Sequence, residues 1–384
     1  MKIGILTQPL HSNYGGLIQN YALQQILIRL GHNPITLDQK EKNISKLRRV
    51  IGRMKGWFMY FIDSKHNKKP RYNLTVQEDK VIRKYSISFI EKYIRHSNLC
   101  AGAKDFRTES EKLGIEGYVV GSDQCWRPCY NMYLKDMFLD FCKDINVKKR
   151  ITYAVSFGSD KWEYTETETN ECAKLVKLFD SITVREESGV KLCKEYLGAD
   201  AIHVVDPTLL LERKDYEALI KECGVGESKG QLFNYVLDPS PIISCFIDKV
   251  AEGTDYHTFQ VLPKYNEDHR TKYDVKKRIK DCIYPSPLVW LRAFMDAKMT
   301  IVDSFHGTVF SIIFNKPFWV VGNKERGMSR FISLLSMFGL EDRLICEEYI
   351  DKIDYKKPVN WKRVNAVLAE KRKESLLILQ KSLE

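Results

Sequence analysis

The chain has 384 residues, of which 44% are hydrophobic and 29% are charged, and its formal net charge is +11. This composition is typical of a soluble globular protein, and the length is enough for two domains, since a domain usually has about 100–200 residues. The sequence contains no run of about 18 apolar residues and no long apolar core at residues 1–8, so we expect neither a transmembrane helix nor a signal peptide.

The positive charge is concentrated in one segment. Residues 40–73 contain eleven Lys or Arg and two acidic residues, so the rest of the chain is nearly neutral. This distribution argues against a general nucleic-acid-binding protein. Of ten scattered cysteines only Cys125 and Cys129 are close, a spacing that is weak as a metal site. We therefore expect reduced thiols in a cytoplasmic protein, and no metal.

Strand–helix alternation begins at once. Residues 2–7 predict a strand, 17–30 an apolar helix and 34–37 a second strand, with Gly15 and Gly16 in the loop before the helix. Paired glycines at such a turn let a ligand approach the backbone closely, although a tight turn alone would also explain them. The G-x-G-x-x-G spacing of a dinucleotide site is absent.

Residues 44–61 form a basic amphipathic pattern. Apolar residues, including Trp57 and Phe58, recur at three- and four-residue steps, and Lys or Arg fill many of the other positions. This pattern is typical of a helix that lies on a membrane surface. The alternative is a helix that packs on its own domain and exposes a solvated basic face.

The remaining first domain continues the repeat. Residues 74–98 predict one helix that begins near Thr75. Further strands are expected at 118–120, 151–157, 181–184 and 201–205. Asp123 and Arg185 follow two of these strands, on the side of a parallel sheet where ligands bind. We predict a doubly wound domain over 1–207, with the basic insertion at 40–73.

A second alternating region covers 208–345. Strands are expected at 231–237, 257–262, 300–302 and 317–321. The junction Asp303–Gly307 leads directly from a strand into a helix, and a helix amino terminus suits an anion. His306 at this junction is therefore a candidate site residue, although a lone histidine in a loop is more often structural. Residues 346–384 form a tail with a charged helix at 361–383.

Six short motifs resemble the polysaccharide pyruvyl transferase family. They are Asn13–Leu23, Val120–Gln124, Ser181–Glu187, Asp206–Thr208, Asp303–Gly307 and Ser329–Phe331. They occur in the expected order over residues 1–345, and they are specific only as a set.

The resemblance implies two doubly wound, Rossmann-like domains that face a cleft, similar to the two-lobed glycosyltransferase-B fold, with the carboxy-terminal helix closing the pair. It implies transfer of a pyruvyl group from phosphoenolpyruvate to hydroxyls of a cell-surface polysaccharide or lipid-linked sugar, giving a pyruvate ketal. No cofactor beyond this co-substrate is expected. The candidate catalytic residues are His306 and Asp123. The candidate donor-binding residues are Arg185, Ser304, Gly307, Lys324, Arg326 and Arg330. The candidate acceptor-binding residues are Asn13, Gly15, Gly16, Gln19 and Gln124.

The chain departs from the family at one position. Members that are best understood carry Arg-x-His where this chain has Ser304-Phe305-His306. Either Lys324, Arg326 or Arg330 replaces the missing guanidinium, or the donor differs. Two other functions therefore stay open: a nucleotide-sugar-dependent glycosyltransferase of the same shape, and a non-catalytic membrane- or glycan-binding protein. A lipid-linked acceptor would place the protein at the inner face of the membrane, held by 44–61.

Overall fold

The first lobe is built on one parallel sheet. The computed structural model describes residues 1–40, 72–131, 133–266, 270–322, 327–346, 350 and 353–384. The strands of this lobe are β1 (Lys2–Leu6), β2 (Asn33–Thr36), β3 (Gly117–Asp123), β4 (Lys149–Val155), β5 (Thr183–Val184) and β6 (Ile202–His203). They pair in the order β2-β1-β3-β4-β5-β6, and all of these pairings are parallel.

Helices join these strands. They are α1 (Tyr14–Arg29), α2 (Val76–Ile82), α3 (Lys84–Tyr93), α4 (Ala103–Leu113), α5 (Glu166–Leu175) and α6 (Glu187–Leu192). Short 3-10 turns occur at Leu134–Phe138, Asp140–Cys142 and Val176–Leu178, and a π turn at Cys193–Leu197. Every residue of β3 is buried, as expected for a central strand covered by helices on both faces.

The second lobe has its own parallel sheet. Its strands are β7 (Leu232–Tyr235), β8 (Thr258–Phe259), β9 (Met299–Val302), β10 (Phe318–Val321) and β11 (Leu344–Ile345). They pair in the order β11-β10-β9-β7-β8, again in parallel. The helices that follow β6 are α7 (Pro207–Leu210), α8 (Arg213–Glu222), α9 (Pro241–Thr254), α10 (Lys272–Arg278), α11 (Pro287–Asp296), α12 (Phe305–Ile313), α13 (Ser329–Phe338) and α14 (Trp361–Leu383). Two further 3-10 turns lie at Ile279–Cys282 and Glu341–Arg343.

The two lobes share a hydrophobic core, and α14 ties them together. One cluster of buried apolar residues runs from Ile3 in β1 through Phe310 in α12 to Leu383 in α14. The N–H of Val205 in the first lobe donates to Ser375 Oγ on α14 at 3.1 Å, while Arg363 of α14 lies against Gly339 of the second lobe. The predicted fold, two doubly wound lobes closed by a carboxy-terminal helix, is therefore confirmed.

The prediction of one helix over 74–98 is wrong, because this segment contains two shorter helices, α2 and α3. Thr75 does begin the first of them, with a capping box between Thr75 and Glu78. The chain then breaks at Arg83 before α3 begins. The carbonyl of Ile82 accepts a hydrogen bond from the N–H of Tyr284 in the second lobe at 3.0 Å. The interruption thus coincides with a contact between lobes.

Most of the basic insertion, including the amphipathic stretch 44–61, lies outside the described residues, so membrane contact stays a prediction. Among the helices of the described ranges, none is long and apolar enough to span a bilayer.

Candidate functional site

The site lies where both sheets reverse their winding direction. In the first sheet the chain moves from β1 to β2 on one side and from β3 to β6 on the other. In the second sheet it moves from β7 to β8 on one side and from β9 to β11 on the other. Ligands in open parallel sheets bind at such switch points, outside the carboxyl ends of the strands. The loops after β1, β3, β7 and β9 together line a cleft of about 520 Å³ between the lobes.

Two helix amino termini open into this cleft from opposite lobes. Asn13 caps α1, and its Oδ1 accepts the N–H of Gly16 at 3.2 Å. Ser304 caps α12, and its Oγ accepts the N–H of Gly307 at 3.2 Å. The first N–H groups of a helix have no partner within the helix and carry partial positive charge, so both ends favour an anion in the cleft.

The lobes touch at Gly15 and His306. A Cβ atom added to Gly15 would lie 2.2 Å from His306 Nδ1 and 2.5 Å from Cγ of the same ring. No side chain fits in that space, so the glycine allows α1 to approach the imidazole directly. On its other nitrogen, His306 Nε2 lies 3.6 Å from Asp206 Oδ2.

A buried charge network supports the histidine. Arg185, whose side chain is 1% exposed, donates from Nη1 to Asp206 Oδ2 and from Nη2 to Asp123 Oδ1, each at 3.1 Å. Phe305 covers the guanidinium, with the ring centroid 4.2 Å from Cζ. Asp206 also accepts the Ser122 hydroxyl at 3.2 Å. Buried charges are tolerated only when they are paired and hydrogen-bonded, and this network meets that condition.

The electrostatics keep both carboxylates ionised. Burial opposes the charge of Asp206, but His306, Arg185 and a hydrogen bond from Thr208 hold the pKa of this carboxyl well below its ordinary value. Burial likewise opposes the charge of Asp123, and Arg185, His306 and Arg330 keep its pKa below the ordinary value. Both groups therefore carry negative charge at neutral pH beside the cleft.

Arg330 lies on the first turn of α13. Among the residues that the structure describes, it is the arginine that lines the cleft. Its pKa is lowered to about 10, mainly by burial and to a smaller extent by the positive charge of Arg185. The guanidinium remains charged at neutral pH but is poorly hydrated, so it gains more than a surface arginine would by binding an anion.

Several predicted residues lie together on the cleft. Asp123 ends β3 and Gln124 follows it, and the same cavity is lined by Asn13, Gly15, Ser304, His306 and Arg330. These residues come from four separate segments of the sequence. Lys324 and Arg326 lie outside the described residues, so their predicted donor contact stays untested.

Four predicted residues take other positions. Gln19 is fully buried, donates to Thr7 Oγ1 and accepts from the N–H and hydroxyl of Ser122, so it fixes the end of β3 instead of meeting a ligand. Arg185 does not line the cavity; it lies behind the wall, where it pairs with Asp123 and Asp206. Gly16 and Gly307 do not line the cavity, because each packs under its own capping residue.

Asp206 is a residue of the site that was not predicted from the sequence, although it belongs to one of the motifs. Its Oδ1 accepts the N–H of Thr208 at 3.0 Å, and Pro207 occupies the first turn of α7. An Asp before Pro at a strand end is a recognisable helix start, and this signal could have placed the carboxylate beside the site. Its contacts with Arg185 and His306 depend on tertiary folding.

Aromatic side chains also line the cleft. Tyr14, Tyr235 and Trp290 pack together, with ring centroids 5.3 to 6.3 Å apart. Tyr284 extends the group, 6.5 Å from Tyr14. Within the described part of the chain, no group of three or more His, Cys, Asp or Glu is placed to hold a metal ion.

The sequence model of one family, polysaccharide pyruvyl transferase, matches residues 13–325 of the chain. No curated protein matches it in sequence. Among solved structures, MurG of Acinetobacter baumannii is 9% identical, with 99% of this chain and 98% of that chain covered and a TM-score of 0.44. The UDP-GlcNAc 2-epimerase of Neisseria meningitidis is 12% identical, with 98% and 100% covered and a TM-score of 0.44. The UDP-GlcNAc 2-epimerase of Methanocaldococcus jannaschii is 13% identical, with 95% of each chain covered and a TM-score of 0.46.

Proposed function

Because the chain belongs to the polysaccharide pyruvyl transferase family, we propose that it transfers a pyruvyl group from phosphoenolpyruvate to two hydroxyls of a sugar. The product is a cyclic pyruvate ketal on a polysaccharide or lipid-linked sugar. The observation that supports this best is that His306 and Arg330 line one cleft, with the buried Asp206 behind His306. Phosphoenolpyruvate is the co-substrate, and the proposed chemistry uses no further cofactor.

The donor carries a phosphate and a carboxylate, and both need positive charge. Arg330 supplies a poorly hydrated guanidinium on the cleft surface. The amino terminus of α12 supplies backbone N–H groups in the same cleft. Arg330 would take the place of the family arginine that Ser304 replaces. Arg185 acts from behind the wall, by holding Asp123 and Asp206 in place.

Ketal formation begins when a proton is transferred to the methylene carbon of the donor. This makes the neighbouring carbon electrophilic, and one sugar hydroxyl attacks it. The proton lost by that hydroxyl balances the proton delivered. The second hydroxyl then displaces phosphate, which leaves together with the second proton. The step needs a proton donor near the anion site, and His306 is placed for it.

Asp206 prepares His306 for this role. A carboxylate near one ring nitrogen orients the imidazole, as the buried aspartate does in serine proteases. The distance of 3.6 Å is longer than a hydrogen bond, and such contacts often tighten when substrate binds. Asp206 is thus a positioning residue.

Asp123 fits the orientation of the acceptor better than its deprotonation. Arg185, His306 and Arg330 keep the pKa of this carboxyl low despite its burial, which makes it a weak base. It can still accept a hydrogen bond from a sugar hydroxyl. Asn13, Gly15 and Gln124 line the first-lobe side of the cavity beside it, where the acceptor would lie.

The test is turnover in D2O with phosphoenolpyruvate and a pool of free and lipid-linked oligosaccharides. The account predicts release of phosphate and a ketal whose methyl group carries one deuterium. His306→Gln should lower the rate about 10²–10⁴-fold, the usual contribution of a general acid. His257→Gln is the matched control, because His257 is an exposed histidine of the second lobe. Sugar transfer from a nucleotide sugar without use of phosphoenolpyruvate would contradict the proposal.

A further inference from the structure

Tyr130 is an exposed aromatic residue at the cleft. It follows β3 by seven positions and lines the same cavity as Asp123, Gln124 and Arg330. It nevertheless exposes 47% of its surface, whereas Tyr14, Tyr235 and Trp290, which line the same cavity, are buried. A large aromatic ring that faces solvent beside a binding cavity is available to a ligand.

The turn that carries Tyr130 is fixed by its neighbour. Asn131 is 5% exposed. Its Nδ2 donates to the carbonyls of Cys125 at 2.7 Å, Arg127 at 2.9 Å and Gln124 at 3.3 Å. The N–H of Tyr130 donates to the carbonyl of Arg127 at 3.2 Å. The backbone of Tyr130 is therefore held in place before any ligand arrives, which lowers the entropy lost on binding.

Arg127 favours one orientation of the ring. Its Cζ lies 5.5 Å from the centroid of the Tyr130 ring. The guanidinium is held in turn by Glu163, from Nε at 3.0 Å and from Nη2 at 2.9 Å. A cation over an aromatic face is attracted to it, so the ring has a preferred orientation. Arg127 covers part of the ring, and the exposed remainder stays open to a ligand.

We propose that Tyr130 is a stacking platform for a pyranose ring of the acceptor. A pyranose presents a face of C–H groups that can pack on an aromatic ring, while its hydroxyls lie at the edge. Gln124 and Asp123, which line the same cavity, can hydrogen-bond those hydroxyls. Phosphoenolpyruvate is small and anionic and has no comparable apolar face. The inference rests on the proposed function, because it takes the acceptor to be a sugar.

The test measures binding of methyl pyranosides of glucose, galactose, mannose and N-acetylglucosamine by saturation-transfer NMR, and binding of phosphoenolpyruvate by thermal shift. Tyr130→Ala should weaken binding of the preferred pyranoside about tenfold, because it removes the stacking contact. Tyr130→Phe keeps the ring and should stay within about twofold of the native protein, since the hydroxyl adds little. All variants should keep the native shift with phosphoenolpyruvate.

Tyr133→Ala is the matched control. Tyr133 is 53% exposed in the same segment but lines a different cavity, with Ala101–Asp105. Its removal should leave pyranoside binding unchanged. Native affinity in Tyr130→Ala, or no pyranoside binding by the native protein, would overturn the inference. Loss of the phosphoenolpyruvate shift in Tyr130→Ala would also overturn it, by placing the residue at the donor. A native protein that binds pyranosides but not phosphoenolpyruvate would contradict the proposed function and leave the platform supported.

Discussion

The contact between Gly15 and His306 allows a sharp test of the site. In Gly15→Ala the new methyl group would lie 2.2 Å from His306 Nδ1. Carbon and nitrogen atoms in ordinary contact are about 3.5 Å apart, so the ring or α1 must move by roughly 1 Å. A displacement of about 1 Å in a catalytic group costs about 100-fold in rate. Overpacking costs about 1–3 kcal/mol of unfolding free energy, of which the lower entropy of unfolded alanine returns about 0.4–1 kcal/mol.

The assay compares kcat for phosphate release, the urea unfolding free energy and the imidazole NMR signals of His306 in histidine-labelled protein. We expect a large loss of kcat, a small loss of stability and shifted His306 signals in Gly15→Ala. Gly16→Ala is the control, because its methyl group would lie 3.3 Å from Asn13 Cγ and away from the histidine. Native kcat and unshifted His306 signals in Gly15→Ala would refute the interlobe contact.

Asp206→Asn should lower the unfolding free energy at pH 7 by about 3–5 kcal/mol, because it leaves Arg185 with one carboxylate. The pKa of Asp206 is lower in the folded protein than in the unfolded chain, so the contribution of this carboxylate to the unfolding free energy is present above about pH 4 and is lost as the pH falls below that value. Urea unfolding from pH 3 to 7 should show this loss in the native protein and not in the variant. The exposed Asp200→Asn should change neither. Burial, with Arg83 and Arg270, lowers the pKa of His11 to about 4. The unfolded chain therefore binds an extra proton as the pH drops from about 6.5 to about 4, and stability should fall by up to about 1.4 kcal/mol per pH unit, a slope that His11→Gln removes. Gln19→Leu leaves the buried Ser122 N–H unpaired and should cost about 1–3 kcal/mol in urea unfolding, whereas Gln25→Leu on the same helix should cost little. Arg48→Glu/Arg49→Glu should reduce the fraction of protein that sediments with anionic vesicles, since each basic residue near such a surface contributes about 1 kcal/mol to binding. Binding that depends neither on these charges nor on the salt concentration would refute the surface-helix prediction.

The architecture was predictable because parallel strands are buried on both faces and therefore appear as short apolar runs. Residues 118–120 and 300–302 are such runs, and both are central strands. Asp123 and Ser304 are polar residues at the carboxyl ends of these central strands. They therefore lie at the switch points of the two sheets, where they line the cleft. The boundary at Arg83 could not be predicted, because no Gly or Pro marks it and the contact of Ile82 with Tyr284 comes from the other lobe.

The roles of individual polar side chains were harder to predict. Arg185 was expected to face the donor because it follows a strand, but it pairs with carboxylates 62 and 21 residues away. Gln19 lies one turn after the glycine loop, yet its amide points to Ser122. A sequence shows which residues reach the ligand side of a sheet. It does not show which of them are already neutralised by another strand.

The most direct test of the central claim is a thermal-shift comparison of phosphoenolpyruvate with uridine-, guanosine- and cytidine-linked sugars. A ligand at about 100 times its dissociation constant stabilises a protein by about 2.7 kcal/mol, which is readily measured. The account predicts stabilisation by phosphoenolpyruvate, lost in Arg330→Met, with no response to the nucleotide sugars. Stabilisation by a nucleotide sugar and none by phosphoenolpyruvate would contradict it, and would mean that Ser304 marks a change of donor.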